Sequence, residues 1–158
     1  MEAEETELAN AAEKNELQTM ERLIAEGVSA DAKDGTGQPA VYNAAWGGHL
    51  DALKLLRREG ANLDATDDDG TTALIAAAAN GKADCAEALL EWGADKDAAS
   101  SNGKTALHLA AKYGKLECAR LLVGAGADAA KRNEAGRTAL ELAQEKGKEE
   151  KKSYEYDE

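Results

Sequence analysis

Apolar residues in this chain recur at the three- and four-residue spacings of short helices, and the stretch from Thr105 to Gly136 shows the pattern most fully. Thr105 stands where a side-chain hydroxyl can accept a free amide from the opening turn of a helix. Leu107, Ala110 and Ala111 behind it fall on one helical face. Gly114 is a stop signal, and a second helix then places Leu116, Ala119, Leu122 and Val123 on an inner stripe before Gly126 ends it. The chain turns through Ala129 to Gly136. The pattern predicts two short helices joined by a turn, and neither can bury its stripe without a neighbour.

The unit repeats. Gly37, Gly70, Gly103 and Gly136 are each 33 residues apart, and Gly27, Gly60, Gly93 and Gly126 keep the same period at another phase. Between these ladders the segments Thr72 to Ala77, Thr105 to Ala111 and Thr138 to Ala143 superpose without a gap, as do Gly60-Ala61-Asn62, Gly93-Ala94-Asp95 and Gly126-Ala127-Asp128. A fixed period of this length is the signature of a stacked-repeat architecture, in which each unit buries its stripe on the next.

Period and motif together resemble the ankyrin repeat, whose signature is Thr-Pro-Leu-His-x-Ala. The resemblance covers roughly residues 4 to 148. It is best in the third and fourth repeats. The second has Pro39 where Thr is usual and Tyr42 where His is usual, and the first keeps only Thr6, Leu8, Ala11, Ala12 and Gly27. It implies an all-α, ankyrin-repeat solenoid of stacked helix-turn-helix units with short β-turn fingers. Five repeats are expected, approximately 1–33, 34–66, 67–99, 100–132 and 133–148, with the first and last as polar caps. Residues 149–158 are expected to form a polar disordered tail.

Composition narrows the picture. Aromatics make up 4% of the 158 residues and Phe is absent, so Ala, Leu, Val and Ile must fill the interior of a single closely packed domain. Pro39 is the one proline, and the 15 glycines mark turns. A net charge of −12 argues against nucleic acid and anionic lipid as partners, because both recruit clustered Lys and Arg. No apolar run has the length of a membrane span, and Met1-Glu2-Ala3-Glu4-Glu5 is acidic where a signal peptide is basic and then apolar. A soluble, intracellular protein, cytoplasmic or nuclear, is expected. Two cysteines, Cys85 and Cys118, occupy one position in successive second helices and read as buried, unpaired thiols of a reducing compartment.

Motifs that look chemical have plainer explanations. Gly103-Lys104-Thr105 ends like a phosphate-binding loop, but Ala98 stands where the first glycine is needed and no strand precedes it, so a turn running into a helix cap is expected. Asp67-Asp68-Asp69-Gly70 resembles a calcium loop with Ala65 and Ala76 at two ligand positions, and reads as a solvated acidic turn. His49 and His108 have no matching ligand or catalytic set, and His108, one turn after Thr105, is expected to make a local hydrogen bond. No metal, cofactor or catalytic residue is assigned, and the chain is read as not an enzyme.

Repeat solenoids offer an extended concave surface, and the ankyrin resemblance implies one built from turn tips and the outer ends of the helices. Carried onto this sequence, the fingers supply Gln38, Asp68, Asp69, Thr71, Ser101, Asn102 and Arg132, while the helices supply Trp46, Asn80, Trp92, Lys112 and Tyr113. Trp46, Trp92 and Tyr113 stand out, since Trp and Tyr are enriched at interface hot spots. Trp92, near the end of a second helix, has an equal claim to covering a neighbouring repeat. The turn holding Asp64, Asp67, Asp68 and Asp69 is negative and that holding Lys131, Arg132 and Arg137 positive, which suggests a partner with a basic segment facing the middle repeats. The expected function is protein–protein interaction as an adaptor, scaffold or inhibitor, by a chain monomeric on its own. The alternatives are an acidic assembly chaperone or holder for a basic client and, more remotely, a ligand-binding or enzymatic protein.

Overall fold

A computed structural model describes residues 2–155. The described chain folds into α1 (Glu2–Glu13), α2 (Leu17–Ala25), α3 (Ala40–Gly47), α4 (Leu50–Arg58), α5 (Ala73–Ala79), α6 (Ala83–Glu91), α7 (Ala106–Lys112), α8 (Leu116–Gly124) and α9 (Ala139–Glu155). Consecutive helices pair as antiparallel hairpins, α1 with α2 through α7 with α8, and the hairpins stack. The odd-numbered helices form an inner row that packs closely, because Ala40, Ala44, Ala73, Ala77, Ala106 and Ala110 are all buried and let backbones approach. The even-numbered helices form a looser outer row, whose buried positions include Leu23, Leu53, Leu56, Leu89 and Leu122.

Local chemistry sets the boundaries. Thr72 and Thr105 cap α5 and α7, accepting hydrogen bonds from the amides of Ile75 (3.2 Å) and His108 (3.3 Å). His108 reciprocates: its Nδ1 accepts the Thr105 amide at 3.1 Å, which leaves Nε2 to donate to the Arg137 carbonyl at 3.1 Å. The histidine expected to bond locally therefore also ties α7 to the next finger. Outer helices close at the glycine ladder; the amides of Val28, Ala61, Ala94 and Ala127 reach back to the carbonyls of Leu23, Leu56, Leu89 and Leu122 at 2.9–3.0 Å, with left-handed glycines before them.

A third ladder, not recognised in the sequence, ends the inner helices. Gly48, Gly81 and Gly114 take φ of 75°, 68° and 67°, and in the first hairpin Asn15 holds the same place at φ 58°. The fourth member, Gly147, does not turn: it stays inside α9, which runs 17 residues to Glu155. The described residues thus form four helix pairs and one long single helix. The disordered tail expected from 149 is helical as far as 155, while 156–158 lie outside the described residues. Gln144, Glu145, Lys146 and the Glu and Lys residues after Gly147 are strong helix formers. They offer no apolar stripe that would reward a turn and a second packed helix.

That ending corrects the stripe expected on α8. Cys118 and Leu122 are buried as expected, with Ala119 partly covered, but Leu116 is 62% and Val123 57% exposed. Both lie on the helix that ends the outer row, which packs on α6 on one side and among the described residues has no outer helix on the other. Leu140 is also exposed at this end of the stack.

Candidate functional site

Each inner helix from α3 onward is preceded by a finger whose first residue organises it. Asp67 Oδ1 accepts the amides of Asp69 and Thr71, both at 2.9 Å; the side chains of Ser100 and Asn133 accept finger amides in the same way in the third and fourth fingers. Asp34 does most. Burial alone would raise its carboxyl, but hydrogen bonds from the Thr36 hydroxyl, the Gln38 amide, the Asn43 side chain and the Thr36 amide outweigh that and hold it below the usual range. Adjacent fingers are stitched by backbone bonds, Ser101 amide to Asp69 carbonyl and Glu134 amide to Asn102 carbonyl, both 2.8 Å. The acidic turn and the Gly-Lys-Thr segment are both finger structure: Asp67 is occupied by its own backbone, and Thr105 by its cap.

Behind the second finger the inner row opens into a hollow of about 400 Å³. Its walls are Trp46 with Tyr42 on α3 and Tyr113 after α7; Ile75, Ala76 and Ala79 of α5 make the floor, with Leu109 beside them. The hollow exists because of one slot in the repeat. Trp46, Ala79, Lys112 and Glu145 are each 33 residues apart, so the smallest member falls on the central helix between two long neighbours. Tyr42 and Trp46 stack with ring centroids 6.1 Å apart and planes 12° from parallel, which fixes that wall. Trp46 and Tyr113 remain 44% and 46% exposed, although large apolar surface is otherwise buried in the middle of the stack.

Charge is unevenly spread around it. At the finger end, Asp68 and Asp69 are exposed, and among the described residues neither carboxylate has a hydrogen-bond or ion-pair partner. Burial, and after it the negative charges of Asp67 and Asp69, hold the Tyr42 hydroxyl above its usual range. At the other end Lys115 lines the hollow and Lys112 Nζ sits 5.4 Å from the centre of the Tyr113 ring.

The remaining expected site residues divide. Thr71 lines the hollow, and so does Asn80, whose side chain donates to the Trp46 carbonyl at 3.0 Å and so clamps α3 to α5. Gln38 is half-buried in the first finger, while Ser101 and Asn102 are exposed in the third, apart from the hollow. Arg132 lies at the far finger, donating to the Gly136 carbonyl at 2.8 Å and facing Glu141 at 3.8 Å. Lys131 donates to the Asp97 carbonyl and Arg137 pairs with Glu145, so the positive turn is largely satisfied within the chain. Trp92 is not in the groove. It closes the outer helix α6, packs partly buried on the core and carries the Arg57 guanidinium 4.8 Å from its ring centre. Tyr42, Ile75, Ala76, Ala79, Leu109 and Lys115 were not picked out as site residues from sequence; comparing the residue types slot by slot across repeats is the signal that finds the hollow.

Paired helices stacked in one direction, with fingers on one edge and a groove along the inner row, define an all-α helical repeat solenoid. A family model for ankyrin repeats, three copies, matches residues 8–100 and 93–152, and the chain belongs to the ankyrin repeat family. Among curated proteins no match is found. Ankyrin repeats are generally protein–protein interaction modules, and the family is typically non-enzymatic. Among the described residues no helix is long and apolar enough to cross a membrane.

Proposed function

We propose that this chain binds a partner protein through the inner-row groove, as an adaptor, scaffold or inhibitor that is monomeric by itself and works in a reducing compartment. The observation that carries the reading is the pair of half-exposed rings, Trp46 and Tyr113, that line one hollow floored by Ile75, Ala76 and Ala79 in the middle of the stack. Aromatic walls of this kind supply large contact area at small entropic cost, which is why such residues dominate interfaces. Asp68, Asp69 and Thr71 complete the surface at the finger edge.

The test sets stability beside affinity. Trp46→Ala and Tyr113→Ala should leave the thermal midpoint near that of the parent and weaken binding of the partner by more than about 1 kcal/mol. If these variants melt as early as a core variant while their folded fraction binds normally, the rings are structural and the groove reading fails. A second reading, a holder for a basic client, draws on the net charge of −12 and the unpaired Asp68 and Asp69. It requires affinity that collapses with salt, whereas a packed aromatic interface keeps most of its affinity.

A further inference from the structure

Groove binding alone leaves the chemistry of the bound segment open, and the hollow constrains it. Its lining is mostly apolar or aromatic, with Thr71, Asn80 and Lys115 as the polar members, and at about 400 Å³ it lies toward the small end of ligand clefts, which run from about 300 to 1,000 Å³. It has room for one large side chain with its neighbours, not for a broad folded face. Its ends differ in charge. Lys115 lines the end of the hollow at the helix C-termini, so a cation there would meet a positive charge, while Lys112 sits over the Tyr113 ring outside the lining. At the opposite end the second finger leads through Thr71 into the hollow; Asp69 lies near enough to raise the Tyr42 hydroxyl, Asp68 rests over Gly37 of the first finger, and among the described residues neither carboxylate has a hydrogen-bond or ion-pair partner.

Resting on the groove reading above, we propose that the occupant is a short segment of a partner in which a large apolar residue enters between Trp46 and Tyr113 and an adjacent Lys or Arg lies against Asp68 and Asp69. Polarity follows from the charges: the basic residue sits toward the finger and Tyr42, and not toward Lys115 at the C-terminal ends of the inner helices, where both Trp46 and Tyr113 stand. Exclusion of anionic segments comes with the same arrangement, since an acidic residue beside the anchor would face both aspartates.

A displayed library of random, tryptophan-free peptides is panned against the full chain carrying Trp92→Phe, which leaves Trp46 as the sole tryptophan. Selected peptides are then synthesised and titrated by Trp46 emission. The expected consensus is an apolar residue flanked on one side by Lys or Arg. Replacing the anchor by Ala should weaken binding about tenfold or more, and so should Tyr113→Ala and, followed by calorimetry, Trp46→Ala. Asp68→Asn with Asp69→Asn should weaken it several-fold at low salt and little at high salt. Ala79→Leu fills the hollow without removing a core contact, and it should abolish binding; it keeps the test decisive if a ring variant melts early. Peptides that bind indifferently to Trp46→Ala, Tyr113→Ala and Ala79→Leu would overturn the groove reading itself. Peptides that need the rings but show no basic preference and ignore the two Asn substitutions overturn this proposal and leave the groove standing. A library that yields no binder also overturns it, because a short segment would then not suffice.

Discussion

Asp34 shows how one carboxylate can set a whole finger, since four donors converge on it from Thr36, Gln38 and Asn43. Asp34→Ala should cost about 1.5–3 kcal/mol, the scale of one lost hydrogen bond to a charged group, since water can replace the other partners at this partly exposed site. Because the folded carboxyl titrates below its ordinary value of 3.8, the contribution is fully present above that pH and is lost as pH falls through the lower folded value. Urea titrations of parent and variant between about pH 2 and 6 check this; their stabilities should converge at the acid end. Cys85 and Cys118 are buried and free. Burial, with help from Asp84, pushes the Cys85 thiol up to about 11, and burial with Glu117 raises Cys118. Alkylation near neutral pH should therefore be slow in the native protein and rapid after unfolding, as mass spectrometry would report. Residues whose role is local, such as Thr105 with His108, were legible in the sequence. Asn80 was legible as a groove position only, because its hydrogen bond to Trp46 spans 34 residues.

At the scale of helices, burial in the stack separates positions that look alike along the chain. Leu122→Ala should destabilise by about 2–5 kcal/mol, since its side chain is fully buried. Leu116→Ala on the same helix should change stability by less than about 0.5 kcal/mol, as expected for an exposed position. Paired chemical melts decide between them, and equal losses would mean that Leu116 is covered. The periodicity puts both residues on one stripe because it records spacing and not where the neighbouring helices end. The long α9 carries a related expectation. Lys148, Glu149 and Glu150 are exposed, so amide exchange should be fast from that point on and slow in α7, despite both segments being helical.

Across the whole molecule, one hydrogen bond recurs between units. Asp31, Asp64 and Asp97 accept the amides of Asn62, Asp95 and Asp128 at 2.7, 2.9 and 2.8 Å, so each repeat holds the next by a carboxylate. Asp64, grouped by sequence with the acidic turn, belongs to this series instead. Asp64→Ala should loosen one interface only, and in a stack where units touch only their neighbours it should broaden the melt as well as lower it. The overall fold was legible because glycine spacing and helix stripes recur from unit to unit. The hollow was less so: it arises from a difference between repeats, Ala79 between Trp46 and Lys112, which becomes visible only when the units are laid side by side.

Gly147 gives the stack an extensible terminus. It keeps the register at which three earlier helices turn, and the exposed Leu116 and Val123 form a ready-made landing surface beside it. Grafting a copy of residues 115–126 after Gly147, with residues 148–158 removed, should let that glycine turn and complete a fifth hairpin. A modular ruler that lengthens by one graduation in this way would gain thermal stability and keep its groove unchanged.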